Sequence, residues 1–265
     1  MDVRDSVVVI TGAASGIGAA LARRFAADGA RSVVVADRDL DGARAVAEEI
    51  GEAAVAEEVD VADRAAIASL VERTLARDGA IDLFCSNAGI TTGVGAANFD
   101  DPADLWARAW AINVMAHVFA AQAVLPAMLE RGRGWLLQTA SAAGLLTSPG
   151  DAPYAVTKHG AVAFAEWLSV TYGGRGIGVS VLCPMGVATP LLMDPLAAGD
   201  PGARAVAASG EIVSAEQVAD DVVAGLADGR FLILPHPQVG TFWAQKASDP
   251  DRWLAGVRRL VDNSS

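Results

Sequence analysis

Short, nearly uncharged runs rich in Val and Ile alternate along this chain with longer Ala-rich stretches of helical period, and no other feature constrains the fold as strongly. Runs at Val7–Thr11, 32–36, 53–59, 81–85, 135–139, Ile177–Leu182 and 231–234 read as strands. Helical stretches fall between them, the first over 16–28 and stopped by Gly29, the second over Leu40–Ile50. Parallel strands need a crossover segment, usually a helix, so this βα repetition implies a parallel sheet. Strands covered by helices on both faces carry little charge. The third run departs from that rule, and its Glu57 and Glu58 place it toward an edge. The expected class is therefore α/β, a doubly wound parallel sheet of about seven strands with helices on both faces.

No repeat, low-complexity tract or Pro/Ser-rich linker divides the 265 residues, so 1–265 read as one domain. Residues 91–101 and 185–213 look irregular and leave the carboxyl ends of strands, where doubly wound sheets bind ligands. They are the expected walls of a substrate pocket. The formal net charge of −12 argues against a nucleic-acid partner, which needs a basic face. Cys85 and Cys183 lie in apolar runs, as reduced buried thiols do, and the Met-Asp-Val-Arg-Asp start lacks the cationic region of an export signal. A cytoplasmic location is expected. Residues 109–129 carry no formal charge and match the length of a membrane span, but Asn113, His117, Gln122 and Pro126 interrupt them. The reading is a helix buried in the protein or an oligomer, with no membrane partner.

The first strand runs into Thr11-Gly12-Ala13-Ala14-Ser15-Gly16-Ile17-Gly18. Glycines at a strand-to-helix turn allow close approach of a pyrophosphate, whose charge is stabilised by free N–H groups at the helix start. Asp37 follows the second strand, 19 residues beyond Gly18, where a carboxylate can accept hydrogen bonds from an adenosine ribose. The same carboxylate would repel a 2′-phosphate, so NAD is favoured over NADP, with Arg38 as the counter-signal. Asp60 and Val61, past the third strand, would flank adenine, although an Asp there can also cap the next helix.

All but two of the 20 cationic side chains are Arg. The exceptions are Lys158 and Lys246, and the two tyrosines are Tyr154 and Tyr172. Tyr154 and Lys158 are four apart, on one face of a helix. Among so few residues such a pair has a chance expectation of roughly 0.015.

With these residues the chain resembles the short-chain dehydrogenase/reductase family. The Gly-rich turn, Asp60, the Ser86-Asn87-Ala88-Gly89 turn, Asn113, Ser141, Tyr154, Lys158 and the segment Pro184 to Thr189 match that family's motifs in order, over about residues 5–235. The resemblance implies a Rossmann-type domain, a nicotinamide cofactor, and hydride transfer between it and an alcohol or carbonyl carbon. It assigns Tyr154 as acid/base, Lys158 to the nicotinamide ribose, Ser141 to the substrate oxygen and Asn113 to a water beside Lys158. Cofactor contacts are implied at Gly12, Ser15, Gly16, Ile17, Gly18, Asn87, Ala88, Gly89, Pro184, Gly186, Val187 and Thr189. Met185 stands where the family usually has Gly. Making Tyr154 a usable base near neutrality requires about 4 kcal/mol, three pKa units. A nearby ammonium favours phenolate, the role expected of Lys158.

Met185, Leu191, Leu192, Met193 and Leu196 make the substrate segment apolar, so the expected substrate is an apolar secondary alcohol or ketone. The rivals are an NADP-dependent carbonyl or oxoacyl reductase and a nicotinamide-binding sensor without chemistry. His117, His159 and His236 lack metal-ligand spacing, so no metal is expected. Residues 109–129 and the helix carrying Tyr154 are expected to form a dimer or tetramer, as in the family. The tail 239–265 is expected to cover a neighbour's pocket or pack as a terminal helix, with Trp243 able to reach a pocket.

Overall fold

The computed structural model describes residues 1–92 and 103–262. β1 (Val7–Thr11) leads into α1 (Gly16–Ala27), β2 (Ser32–Asp37), α2 (Leu40–Ile50), β3 (Ala54–Glu58), α3 (Arg64–Asp78) and β4 (Leu83–Ser86). Then come α4 (Ala103–Trp110), a π-helical turn (Ala111–Met115), α5 (Ala116–Arg131), β5 (Gly134–Thr139), α6 (Ala152–Tyr172) and β6 (Ile177–Leu182). The chain continues through α7 (Pro190–Ala197), α8 (Pro201–Ala208), α9 (Ala215–Ala227), β7 (Leu232–Ile233), α10 (Gln238–Ser248) and α11 (Pro250–Asp262).

All seven strands pair in parallel in the order β3-β2-β1-β4-β5-β6-β7. The strand pattern read from sequence is present, with its ends shifted by one or two residues. β1 shows how the pleat divides the core. Val7 and Val9 pack with Ile67, Leu70, Ala120, Val124, Ala161 and Leu168 of α3, α5 and α6. Val8 and Ile10 face the opposite layer, with Leu21, Phe25, Val46, Val218 and Val222 of α1, α2 and α9. Helices on both faces exclude water from both sides, which is why these strands need no polar alternation. β3 is an edge strand, as its glutamates imply, and Glu57 pairs with Arg73 at 2.9 Å and Arg77 at 3.6 Å on α3.

The strand order reverses between β1 and β4, the switch point that opens a crevice beyond the carboxyl ends. Helix caps set the elements around it. Asp39 accepts from Gly42 N at the start of α2, and Asp63 from Ala65 N at the start of α3. Asp151 does the same for Tyr154 N at the start of α6.

Two expectations change, and a third falls mostly outside the described residues. Residues 185–213 are not irregular, since α7 and α8 occupy much of them. Pro190 and Pro201 sit in the first turn of these helices, where a missing N–H leaves no intrahelical bond unmade. The expected helix over 109–129 is instead α4, a π turn and α5; the whole stretch Asp104–Arg131 is long and apolar enough to cross a membrane, yet Ala116, Ala120, Val124 and Met128 are buried in the core. Most of the proposed wall 91–101 lies outside the described residues.

Candidate active site

One cavity of about 1520 Å³ opens along the carboxyl ends of the strands. At one end lies the glycine turn. Gly12 and Gly16 have φ of 67° and 54°, the left-handed region that glycine enters without strain. A Cβ on Gly12 would stand 2.7 Å from Ala88 Cα, and one on Gly18 would stand 2.2 Å from Gly12 O. The turn is thus pressed against the end of β4. Thr11 and Asn87 lock it: Thr11 Oγ1 accepts from Asn87 N (3.0 Å) and Ala88 N (3.2 Å), while Asn87 Nδ2 donates to Thr11 O (3.0 Å) and Gly12 O (3.2 Å).

Gly12, Ser15, Gly16 and Ile17 line the cavity, as do Asn87, Ala88 and Gly89. Gly18 does not line it; its lack of a side chain lets α1 approach the turn. Asp37, Arg38, Asp60 and Val61 line the next stretch of wall. The Asp37 carboxylate accepts from Ala14 N and Asp39 N, each at 3.0 Å, so it is oriented from both sides. Asp60 accepts from Ala62 N at 2.9 Å, and it is Asp63 that caps α3.

At the other end Ser141, Tyr154 and Lys158 line the same cavity. Lys158 is buried to 3% exposure, and its Nζ donates to Thr139 O at 3.0 Å, 5.7 Å from the Tyr154 ring centroid. Burial pushes its pKa down to about 8, the Cys183 thiol opposing. Tyr154 is pushed up to about 12, chiefly by burial, with a hydrogen bond from Ser141 opposing and Asp151 adding to the rise. In the chain by itself the phenol is therefore neutral at physiological pH. Burial outweighs Ser141, and the lowering expected from Lys158 is not among the causes that set the value.

Asn113 is fully buried in the π turn and does not line the cavity. Its Oδ1 accepts from Ile90 N (2.9 Å), and its Nδ2 donates to Ile90 O (2.9 Å) and Thr157 Oγ1 (3.1 Å). These bonds tie the segment after β4 to α6. A Cβ on Gly89 would fall 3.1 Å from Lys158 Nζ and 3.3 Å from Asn113 Oδ1, so a glycine keeps the space between them open.

Pro184, Met185, Val187 and Thr189 continue the wall, whereas Gly186 turns away from it. The Gly186 carbonyl accepts from Val213 N (3.1 Å) and from His236 Nε2 (3.1 Å). His236 Nδ1 in turn accepts from Met185 N at 3.1 Å. His236 is thus a neutral imidazole bracing the loop, with Nε2 carrying the proton.

The sequence profile described as short chain dehydrogenase matches residues 6–198. The chain belongs to the short-chain dehydrogenase/reductase family. Similar relatives include 1-deoxy-11-beta-hydroxypentalenate dehydrogenase of Streptomyces avermitilis, 36% identical over 100% of this chain and 97% of that protein. Levodione reductase of Leifsonia aquatica is 35% identical over 74% of this chain and 75% of its own length. Among solved structures, a short chain dehydrogenase/reductase from Burkholderia phymatum in complex with NAD matches with a TM-score of 0.86 at 27% identity, covering 95% of this chain and 96% of that one.

Asp151 contributes to the site of this short-chain dehydrogenase/reductase without having been singled out from sequence, and the tail contributes through other residues than the expected Trp243. Asp151 accepts from Tyr154 N (2.9 Å), Thr92 N (2.8 Å) and Thr92 Oγ1 (2.5 Å), so it starts α6 and anchors the neighbouring loop at once. An Asp just before Ala-Pro at a helix start is a visible cap signal, and that signal was available. The tail is the other contributor. Phe242, Gln245 and Trp253 of α10 and α11 line this chain's own cavity, while Trp243 is 41% exposed and does not.

Proposed function

We propose that this chain transfers hydride between NAD(H) and an apolar secondary alcohol or ketone, with Tyr154 as the acid/base. The observation that carries this reading is the convergence of Ser141, Tyr154 and Lys158 on the cavity that the glycine turn also lines. The residues present fit a dinucleotide. The turn is pared of side chains where backbone must come close, the N–H groups at the start of α1 suit a pyrophosphate, and the fixed Asp37 carboxylate suits a ribose. Gly12, Ser15, Gly16, Ile17, Asp37, Asp60, Val61, Asn87, Ala88, Val187 and Thr189 would hold it. When bound, the nicotinamide supplies the hydride acceptor or donor.

The chain's own residues handle the proton and the oxygen. Tyr154 takes the proton of the alcohol hydroxyl in oxidation and returns it to the carbonyl oxygen in reduction. Ser141 donates a hydrogen bond to the same oxygen and stabilises its negative charge as it develops. Lys158, held by Thr139 O, brings positive charge to the buried end of the site and would orient the nicotinamide ribose. Asn113 and Thr157 set the position of α6, and so of Tyr154 and Lys158. Support for the substrate class comes from Met185, Leu191 and Leu192 on the wall and from relatives named as a dehydrogenase of a hydroxypentalenate and a reductase of levodione.

Tyr154→Phe is expected to lower turnover by about 10²–10⁴-fold while leaving NADH binding within a few-fold. Retained turnover in that variant would sink the mechanism. Arg38 also lines the cavity and favours the second reading, an NADP-dependent carbonyl reductase. Initial rates with the two cofactors separate these readings. Free, buried Cys85 and Cys183 support a reducing, cytoplasmic setting. A homodimer or homotetramer is supported by exposed Trp106 and Trp110 on α4 and Val156, Trp167 and Val170 on α6. Elution as a monomer at micromolar concentration would contradict it.

A further inference from the structure

Lys246 is one of the two lysines in the chain, and the proposed chemistry does not use it. It lies in α10 and does not itself line the cavity. Its Nζ donates to Leu145 O at 2.8 Å and to Leu146 O at 2.5 Å. The same ammonium sits 5.6 Å from the Trp253 ring centroid in α11 and 3.5 Å from His159 Nε2 in α6. Its partial burial pushes its pKa down.

The segment it grips is the one that presents Ser141. A short 3₁₀ turn, Ala142–Gly144, follows Ser141 and leads straight into Leu145 and Leu146. A Cβ on Gly144 would stand 2.5 Å from Lys158 O, so this turn lies directly on α6. Lys158 holds Thr139 O on one side of Ser141, and Lys246 holds Leu145 O and Leu146 O on the other. Leu146 and Trp253, which meet through Lys246, both line the cavity, joined there by Phe242 and Gln245 of α10. Little else anchors this arm by burial: Val239 is the one buried residue of α10.

We infer that Lys246 is a positioning residue for substrate, pinning α10 and α11 to the Ser141 segment so that Trp253 closes the outer wall against a bulky alicyclic ketone. This rests on the reading of Tyr154 and Ser141 as the chemical end. A cation over an indole face and two charge-assisted bonds to carbonyls suit the task, because each is directional and each fails if the arm swings away. The proposal requires that a small ketone seated against Tyr154 and Ser141 stop short of that wall, so that its turnover is independent of the pin.

The test is NADH-dependent reduction of cyclohexanone and of trans-1-decalone by the wild-type chain, Lys246→Met and Lys246→Arg. Lys246→Met keeps the unbranched side chain to within one atom of its length and removes donors and charge. Its KM for decalone is expected to rise at least tenfold with kcat within twofold, while cyclohexanone constants stay within twofold. Lys246→Arg restores part of the decalone KM. Trp253→Ala, which leaves Lys246 in place, is expected to reproduce the decalone defect and serves should Lys246→Met fail to fold. An unchanged decalone-to-cyclohexanone ratio in Lys246→Met, or equal losses on both ketones, overturns the proposal. Wild-type protein that reduces neither ketone would instead bring down the catalytic reading beneath it.

Discussion

The two ends of the cleft are built differently. The dinucleotide end is continuous with the core: α1 buries six residues between Gly18 and Phe25, β1 is buried throughout, and Thr11 and Asn87 stitch the turn to β4. The outer wall of the substrate end, beyond buried Ser141 and Lys158, is draped over the surface, with no buried residue in α7 and only Val239 in α10. The first end cannot change without disturbing the sheet. The second can change residue by residue while the fold stands, and specificity belongs there. Alteration of the first should therefore cost stability and cofactor affinity together, and alteration of the second should move substrate constants alone.

Within the dinucleotide end the largest effect on stability is expected for Gly18→Ala. Its new Cβ would lie 2.2 Å from Gly12 O and 2.7 Å from Asn87 Nδ2, so the turn must open, lowering stability by about 1–3 kcal/mol. NADH titration and thermal melting should both register it, and a variant normal in both would erase the contrast. Next is the pH profile of alcohol oxidation. With Tyr154 near 12, its base form grows about tenfold per pH unit below that value, so oxidation should climb between pH 7 and 10. Ketone reduction uses the phenol and should not climb. A flat oxidation profile would show that Tyr154 is not the base. Replacing Asp37 with Ser should shift the NAD-to-NADP rate ratio toward NADP by about tenfold, as expected when one repulsive charge worth about 1.4 kcal/mol is removed. At the draped end, Leu191→Ala should change ketone KM several-fold with stability altered by less than about 0.5 kcal/mol, since Leu191 is 44% exposed yet lines the cavity. A large drop in melting temperature there would show that α7 is part of the core after all.

The same contrast explains what could be read from the sequence. The strands were legible because burial on both faces leaves little but Val, Ile, Leu and Ala, and the glycine turn because backbone crowding leaves no other choice. Tyr154 and Lys158 stood out through their rarity and spacing. Helices α7 and α8 were hidden by their prolines: Pro190 and Pro201 stand at first turns, where the usual meaning as a breaker inverts, while Pro195 lies inside α7. Gly186 is implied as a cofactor contact by the family resemblance; its carbonyl accepts from His236, 50 residues later, and no local pattern reports such a contact. Lys246 was visible as a rarity but had no local partner to interpret it. The carbonyls it grips lie about 100 residues earlier and belong to backbone, which carries no sequence signal.

β3 ends the sheet on one side, and its outer edge is a row of backbone groups with no strand beside it among the described residues. Such a row is a template onto which another chain's strand could add, and repeated addition is how sheets grow into aggregates. Glu57 and Glu58 sit on that strand, the second exposed and the first tied to α3 by two arginines. Growth at this edge would bring further carboxylates against them in every added copy. The acidic bias that first spoke only against nucleic acid thus also makes this side of the protein a poor seed for polymerisation.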